Sequence, residues 1–198
     1  MNRLAAFVVF LAFAIVGCSS GSNDEAGSSP PPPTPTTTTN ACEPLPGAAF
    51  TKQLSPAIEN RETMYLTDVS LDSGECTDTV VFDFEEQEPG PGFEVSYQPA
   101  SSAKIEDGSG NPVAIDGGAF LVVRLTPAMT AKIDGEEVTK TYTGPRRLPE
   151  DPSSGVRDVV KTGDFEALVT WVIGVDKKWP FTTNATDSQL VVEIDRGS

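Results

Sequence analysis

"TYTGPRRLPED", residues 141–151, sets Arg146 and Arg147 side by side in a chain of 198 residues whose formal net charge is -15. A guanidinium is a planar fork of donors that meets a carboxylate or a phosphate at two points, so the pair has two uses. It can brace the turn against the protein's own acids, with Glu150, Asp151, Asp158, Asp164 and Glu166 close in sequence, or it can grip an anionic ligand. Gly144-Pro145 marks the turn, because proline fixes its own φ and keeps the residue before it from continuing a helix. In an extended strand neighbouring side chains point to opposite faces. The two arginines are therefore predicted to divide the work. One is paired internally, and the other is exposed beside Tyr142 or Arg157 to meet an anionic or sugar group. Tyr142, Arg146, Arg147 and Arg157 are the candidate ligand-binding residues, with bracing alone as the alternative.

Catalytic chemistry finds little support. The chain has no histidine, which removes Ser-His-Asp and Cys-His catalysis, the metalloprotease zinc motif and most imidazole-ligated metal sites. Ser101-Ser102-Ala103-Lys104 fits Ser-x-x-Lys and Lys161-Thr162-Gly163 fits Lys-Thr-Gly, but no Ser-Asp-Asn element accompanies them and the serine lies between strand candidates. Asp107 to Asn111 begins like a calcium loop, yet its twelfth position is Gly118, where a bidentate glutamate belongs, so a hairpin turn is expected. Carboxylates are plentiful, but no spacing singles out an acid and base pair for sugar hydrolysis. Trp171, inside an apolar strand, is expected in the core and not as a sugar-stacking platform. No catalytic residue, metal ligand set or cofactor is expected.

The cysteines carry the remaining chemistry. After Arg3, an apolar run from Leu4 to Val16 is too short to span a membrane comfortably and has the make-up of a signal-peptide core. It ends in Ile15-Val16-Gly17-Cys18, which resembles the lipobox of bacterial lipoproteins, where cleavage before the cysteine accompanies its acylation. Cys18 is thus the expected lipidation site, and the mature protein is expected on the outside of the cytoplasmic membrane, held by lipid. Processing removes one base and no acid. So acidic a chain argues against nucleic acid and anionic membrane surfaces as partners. Cys42 and Cys76 remain in an exported compartment, where a disulfide is the default and two free thiols the alternative. Closing that loop of about 35 residues would stabilise the fold by about 4 kcal/mol in the chain-entropy model.

The elements that position these groups are strands. Residues 19–47 are dense in Ser, Pro and Thr with almost no large apolar side chain, so they form a disordered tether, extended where Pro30 to Pro33 and Pro35 favour polyproline II. From about Glu62 the pattern changes. Val80, Phe82 and Phe84 alternate with Val81, Asp83 and Glu85, and Phe93, Val95 and Tyr97 repeat the alternation after the turn-rich "EQEPGPG". "AFLVVRL" at 119–125 and "ALVTWVIGV" at 167–175 are apolar on both faces and belong centrally in a sheet, and "LVVEI" at 190–194 closes the domain. "EDGSGNP" and "KTGDF" carry turn dipeptides and are expected to be hairpin connections. No long segment holds a helical period. The fold class predicted is all-β, an antiparallel β-sandwich.

"GGAFLVVRLTPA", "TYTGPRRLPE", "VRDVVKTGDFEALVTWVIGV" and the closing "PFTTN" and "LVVEI" give the chain a resemblance to the AMIN-like domain over about residues 62–195. That family comprises β-rich domains of secreted proteins and lipoproteins of the Gram-positive envelope, and is related to the non-catalytic targeting domain of cell-wall amidases. The resemblance implies a β-sandwich, an envelope location and no catalysis; the related amidase domain is associated with peptidoglycan localisation, which makes peptidoglycan or another cell-wall polymer the expected partner. Family members often carry an aromatic-Asp-Arg step before the Val-Val-Phe strand; here Thr77-Asp78-Thr79 stands there, so no role of that arginine carries over.

Charge is uneven: Glu59 to Glu94 holds eleven acids and one base, whereas Arg124 to Lys178 holds nine of each. Together these features predict a lipoprotein signal peptide over 1–17, a lipidated cysteine and tether over 18–60, and an AMIN-like β-sandwich over 61–198. The predicted function is that of a non-catalytic, lipid-anchored envelope protein whose sandwich binds a cell-wall polymer or an envelope partner. A purely structural surface module without a specific ligand is the alternative, and a cell-wall-active enzyme a remote one.

Overall fold

A computed structural model describes residues 42–197. Cys18, the signal peptide and the Ser/Pro/Thr-rich stretch lie outside the described residues.

Strand β3 (Thr77–Phe84) shows how the sequence makes its sheets: alternate side chains, Asp78, Val80, Phe82 and Phe84, go into the interior while Thr77, Thr79, Val81 and Asp83 stay partly wet. It is the middle strand of one five-stranded sheet, whose order is β11 (Phe181–Ala185), β12 (Gln189–Asp195), β3, β2 (Met64–Ser73), β6 (Ala128–Met129). The other sheet runs β1 (Gln53–Leu54), β4 (Phe93–Gln98), β5 (Ala119–Leu125), β10 (Leu168–Val175), β9 (Val156–Phe165). Pairing is antiparallel throughout both sheets except where β6 lies parallel to the start of β2. A separate hairpin, β7 (Ala131–Asp134) with β8 (Glu137–Lys140), projects from the chain after β6.

The main core lies between the sheets, where Leu66, Val80, Phe82, Val192 and Ile194 share one cluster with Val95, Leu121, Val123, Trp171 and Ile173. The two strands that are apolar on both faces, β5 and β10, take the third and fourth places of their sheet. Their outer faces are covered too: Phe120, Val122 and Val172 join Val160, Ile115 and Ala103, the last from the single helical turn α1 (Ala100–Ala103). This is why those segments read as continuous hydrophobic runs.

Two details differ from expectation. "KTGDF" is not the connection between β9 and β10. β9 continues to Phe165, and the turn falls on Glu166 and Ala167, at φ 51° and 57°. Two positive-φ residues of a primed hairpin turn need not be glycine, at some steric cost. The sequence also predicts a tether as far as residue 60, whereas the structure lays residues 42–60 along the domain. Ala49 exchanges backbone hydrogen bonds of 2.9 and 3.0 Å with Phe181, Gln53 donates to the Phe181 carbonyl at 2.7 Å, and Gln53–Leu54 adds a strand beside β4. Cys42 and Cys76 form a disulfide, with Cα atoms 5.7 Å apart.

Candidate functional site

The Arg146–Arg147 segment docks along the outer edge of β9. Leu148 N–H donates to the Val159 carbonyl at 3.0 Å and Lys161 N–H to the Arg146 carbonyl at 2.8 Å, with Arg147 opposite Val160. Gly144 permits the turn before it, because a Cβ there would come within 2.6 Å of the Tyr142 hydroxyl.

Each arginine then finds an internal acid. Arg146 donates from Nε to the Lys161 carbonyl at 3.0 Å and from Nη2 to Glu106 Oε1 at 2.7 Å. The Ser109 hydroxyl, donating at 2.7 Å, and then Arg146 hold the Glu106 carboxyl below its ordinary range. A depressed carboxylate helps the folded state above the ordinary glutamate range and loses that help as pH falls through its folded pKa. Arg147 pairs with Asp158 and donates to the Ala114 carbonyl at 2.5 Å. Asp158 is buried and has one further donor, Asp116 N–H at 3.2 Å. The predicted division, one arginine braced and one free, is therefore not what the structure holds. The acids of the 106–116 loop and of β9 reach both, a proximity that sequence distance conceals.

Tyr142 is also placed differently. Its ring packs edge-on against Trp171 at 5.7 Å, the residue is buried, and its hydroxyl donates to the Pro145 carbonyl at 2.7 Å. Burial first, and the Asp68 charge second, push its pKa up. It is a floor and not an exposed contact. Arg157 lies away from the others and grips Asp176 with both Nε and Nη2, the latter at 2.7 Å.

The two arginines are expected to differ in stability. Arg147→Ala leaves a buried carboxylate with one backbone donor and should cost about 2 kcal/mol, less than for a fully buried pair because the guanidinium is about half exposed. In thermal denaturation that is a fall of about 4–8 °C. Arg146→Ala should leave the midpoint nearly unchanged, because both it and Glu106 are open to solvent. Equal midpoints for the two variants would refute the asymmetry.

What the segment builds is a groove. Between the β7–β8 hairpin and the end of β9 lies an open cleft of about 530 Å³. Tyr142 and Gly144 form its floor, Val138 and Lys140 one wall, Lys161 and Asp164 the other, and Arg146 an end. Val138 is exposed and sits opposite Ile133 in the hairpin register, so the wall has an apolar part beside Lys140. Lys161 Nζ is 2.9 Å from Asp164 Oδ2 and 5.5 Å from the Tyr142 ring centre. Lys140 has no carboxylate partner among the described residues. On the far side of Arg146 and Lys161 a shallower depression of about 250 Å³ continues past Glu106 and Asp107. Lys140, Lys161 and Val138 were not candidates from the sequence. Asp134-Gly135, a hairpin dipeptide, was the available signal for the wall they form.

Among the described residues no group of three or more Cys, Asp or Glu side chains is placed to hold a metal ion, and no helix is long and apolar enough to cross a membrane. Two packed sheets with an open groove of mixed polarity at one end define the class, an all-β module. The chain belongs to the AMIN-like domain family, whose sequence model matches residues 64–196, from the first residue of β2 to one past the last of β12. Domains of this family are associated with the cell wall and are in general non-catalytic. No curated protein and no solved structure matches the chain. Where family members often carry arginine, Thr79 stands one residue past a fully buried Asp78. The cation beside Asp78 is Arg196, Nε to Oδ2 at 3.0 Å, with Gly155 N–H donating at 2.8 Å.

Proposed function

We propose that this protein is a non-catalytic, lipid-anchored module of the cell envelope, tethered through Cys18 on the outside of the cytoplasmic membrane, which holds a cell-wall polymer in the groove over Tyr142. The observation that carries the proposal is the pairing of an exposed apolar wall, Val138, with the ammonium groups of Lys140 and Lys161 and the guanidinium of Arg146 around one open cleft. A polymer of sugars and carboxylates presents apolar ring faces and anionic groups side by side, and an open groove admits a chain that continues past both ends.

One observation favours a second reading. Every arginine among the candidates already has a carboxylate partner, as a module without a ligand would arrange it. Retention of the detergent-solubilised protein on purified peptidoglycan separates the two. Wild type should be retained, and Lys140→Glu with Lys161→Gln should reduce retention about tenfold, the loss of two weakly screened contacts, at an unchanged melting temperature. Absence of wild-type retention would leave the spacer role. For the anchor, Cys18→Ser should move the protein out of the detergent phase; a membrane-bound Cys18→Ser variant, with no labelled fatty acid on wild type, would refute lipidation.

A further inference from the structure

Eight of the described lysines and arginines stand within ion-pair distance of a carboxylate. Five do not, and of these Lys177 and Lys178 line one groove and Lys104 stands over a ring of its lining, while Arg61 and Lys140 lie elsewhere. Lys104, Lys177 and Lys178 each lie over an aromatic ring at the end of the first sheet opposite the Tyr142 groove. Lys177 Nζ is 4.0 Å from the centre of Trp179, Lys178 Nζ is 5.5 Å from that of Tyr97 and Lys104 Nζ is 4.9 Å from that of Phe120. Tyr97 and Phe120 line one open groove of about 480 Å³, with Gln98, Lys177 and Lys178 on its rim.

We propose that this second groove binds a polyanion carrying phosphodiester groups along its chain. In a protein with 29 acids and 14 bases, two ammonium groups without carboxylates on the rim of one cleft, with a third over the Phe120 ring that lines it, are a concentration of unspent positive charge. Ammonium groups are compact point charges that suit phosphate oxygens and impose no planar geometry, and two of them on the rim of an open groove, with a third close by, suit a repeating charge. The rings beneath hold the lysine stems and offer apolar surface to the carbons between phosphates. The positions are fixed, since the Tyr97 hydroxyl donates to the Trp179 carbonyl at 2.8 Å and accepts from Trp179 N–H at 3.0 Å, pinning the 177–179 turn to the end of β4.

One acid lines the groove, Asp176, and Arg157 occupies it with both arms of its guanidinium. Arg157 hydrogen bonding holds the Asp176 carboxyl below its ordinary range, so this acid stays charged and needs a permanent partner. Arg157 is thus a positioning residue: it cancels the one charge that would repel an anion and contributes no contact of its own. The proposal does not depend on the Tyr142 groove.

The test uses the full chain in a neutral detergent with a synthetic glycerol-phosphate oligomer, read by the emission of Trp179, whose ring lies under Lys177 of the groove, while Trp171 stays buried. Saturable quenching that weakens with salt is expected. Lys177→Glu with Lys178→Glu should weaken binding about tenfold or more at an unchanged melting temperature. Arg157→Ala should weaken it several-fold, and adding Asp176→Asn should restore it, a rescue that a merely structural role would not give. Lys140→Glu should change nothing here. The proposal is overturned if the lysine reversals leave the affinity intact, or if uncharged glycan fragments bind as well. It is equally overturned if phosphatidylglycerol vesicles bind and the free oligomer does not compete, which would make the groove a membrane contact. Peptidoglycan stripped of phosphate polymers reports on the first groove alone, so either site can fail without the other.

Discussion

Replacing Trp171 with alanine is expected to cost about 3–5 kcal/mol, the largest loss of any single substitution described for this protein. Trp171 is fully buried on β10, the fourth strand of the first sheet. Its ring meets Phe82 of the facing sheet edge-on at 6.1 Å and Tyr142 at 5.7 Å. Truncation removes the side chain that joins the two sheets and also the support beneath the groove floor. The surrounding strands are laced to neighbours on both sides and cannot collapse into the space, so the cavity cost adds to the lost transfer energy. For a domain of this size the melting temperature should fall by about 10–15 °C. Peptidoglycan retention should fall with it even at temperatures where the variant is folded, because the Tyr142 ring loses its backing. Trp179→Phe is the control, expected to leave the denaturant midpoint close to wild type. A Trp171→Ala variant within about 1 kcal/mol of wild type would show that the core does not centre on this ring.

The Cys42–Cys76 bridge carries the second large effect. It closes a loop between residues 34 apart. Removing it by Cys42→Ser with Cys76→Ser should cost about 3–4 kcal/mol, mainly by freeing the unfolded chain. The sheets should survive, since neither cysteine belongs to a strand and the Ala49–Phe181 and Gln53–Thr183 hydrogen bonds still hold the segment. The expected sign of the loss is therefore early proteolysis within 42–60, ahead of global unfolding. Intact-mass analysis with alkylation before and after reduction checks the premise: two alkylated thiols in unreduced exported protein would refute it.

Strand identity was legible wherever burial on one face imposes a period of two, as in β3, or burial on both faces removes it, as in β5 and β10. Even the central place of β5 and β10 followed from their composition. What escaped was structure held by single contacts. Gln53–Leu54 has no alternation to read; the strand exists because the Gln53 side chain donates to the Phe181 carbonyl and accepts from Thr183. The site was less legible still. Arg146 and Arg147 could be singled out by type and adjacency, but Glu106, the partner of Arg146, lies 40 residues away in a loop with no regular pattern. A cation's availability is a property of the folded arrangement of all the acids, so the unpaired state of Lys104, Lys177 and Lys178 has no local signature.

The place of the disulfide decides how a pull on this domain would be felt. Tension arriving from the residues before 42 passes at Cys42 into a covalent bond with Cys76, and one residue later into β3. The docked stretch 43–60 is bypassed and bears no load. β3 is the middle strand of its sheet, laddered to β12 on one flank and β2 on the other. Drawing it lengthwise must shear both ladders at once, a mode in which many hydrogen bonds resist together rather than unzipping in turn. Reduced, the same chain would meet that tension through the Ala49 bridge and the two-residue β1, which can peel apart one bond at a time. A sulfur–sulfur bond at the boundary of the domain thus turns a weak attachment into a mechanical one.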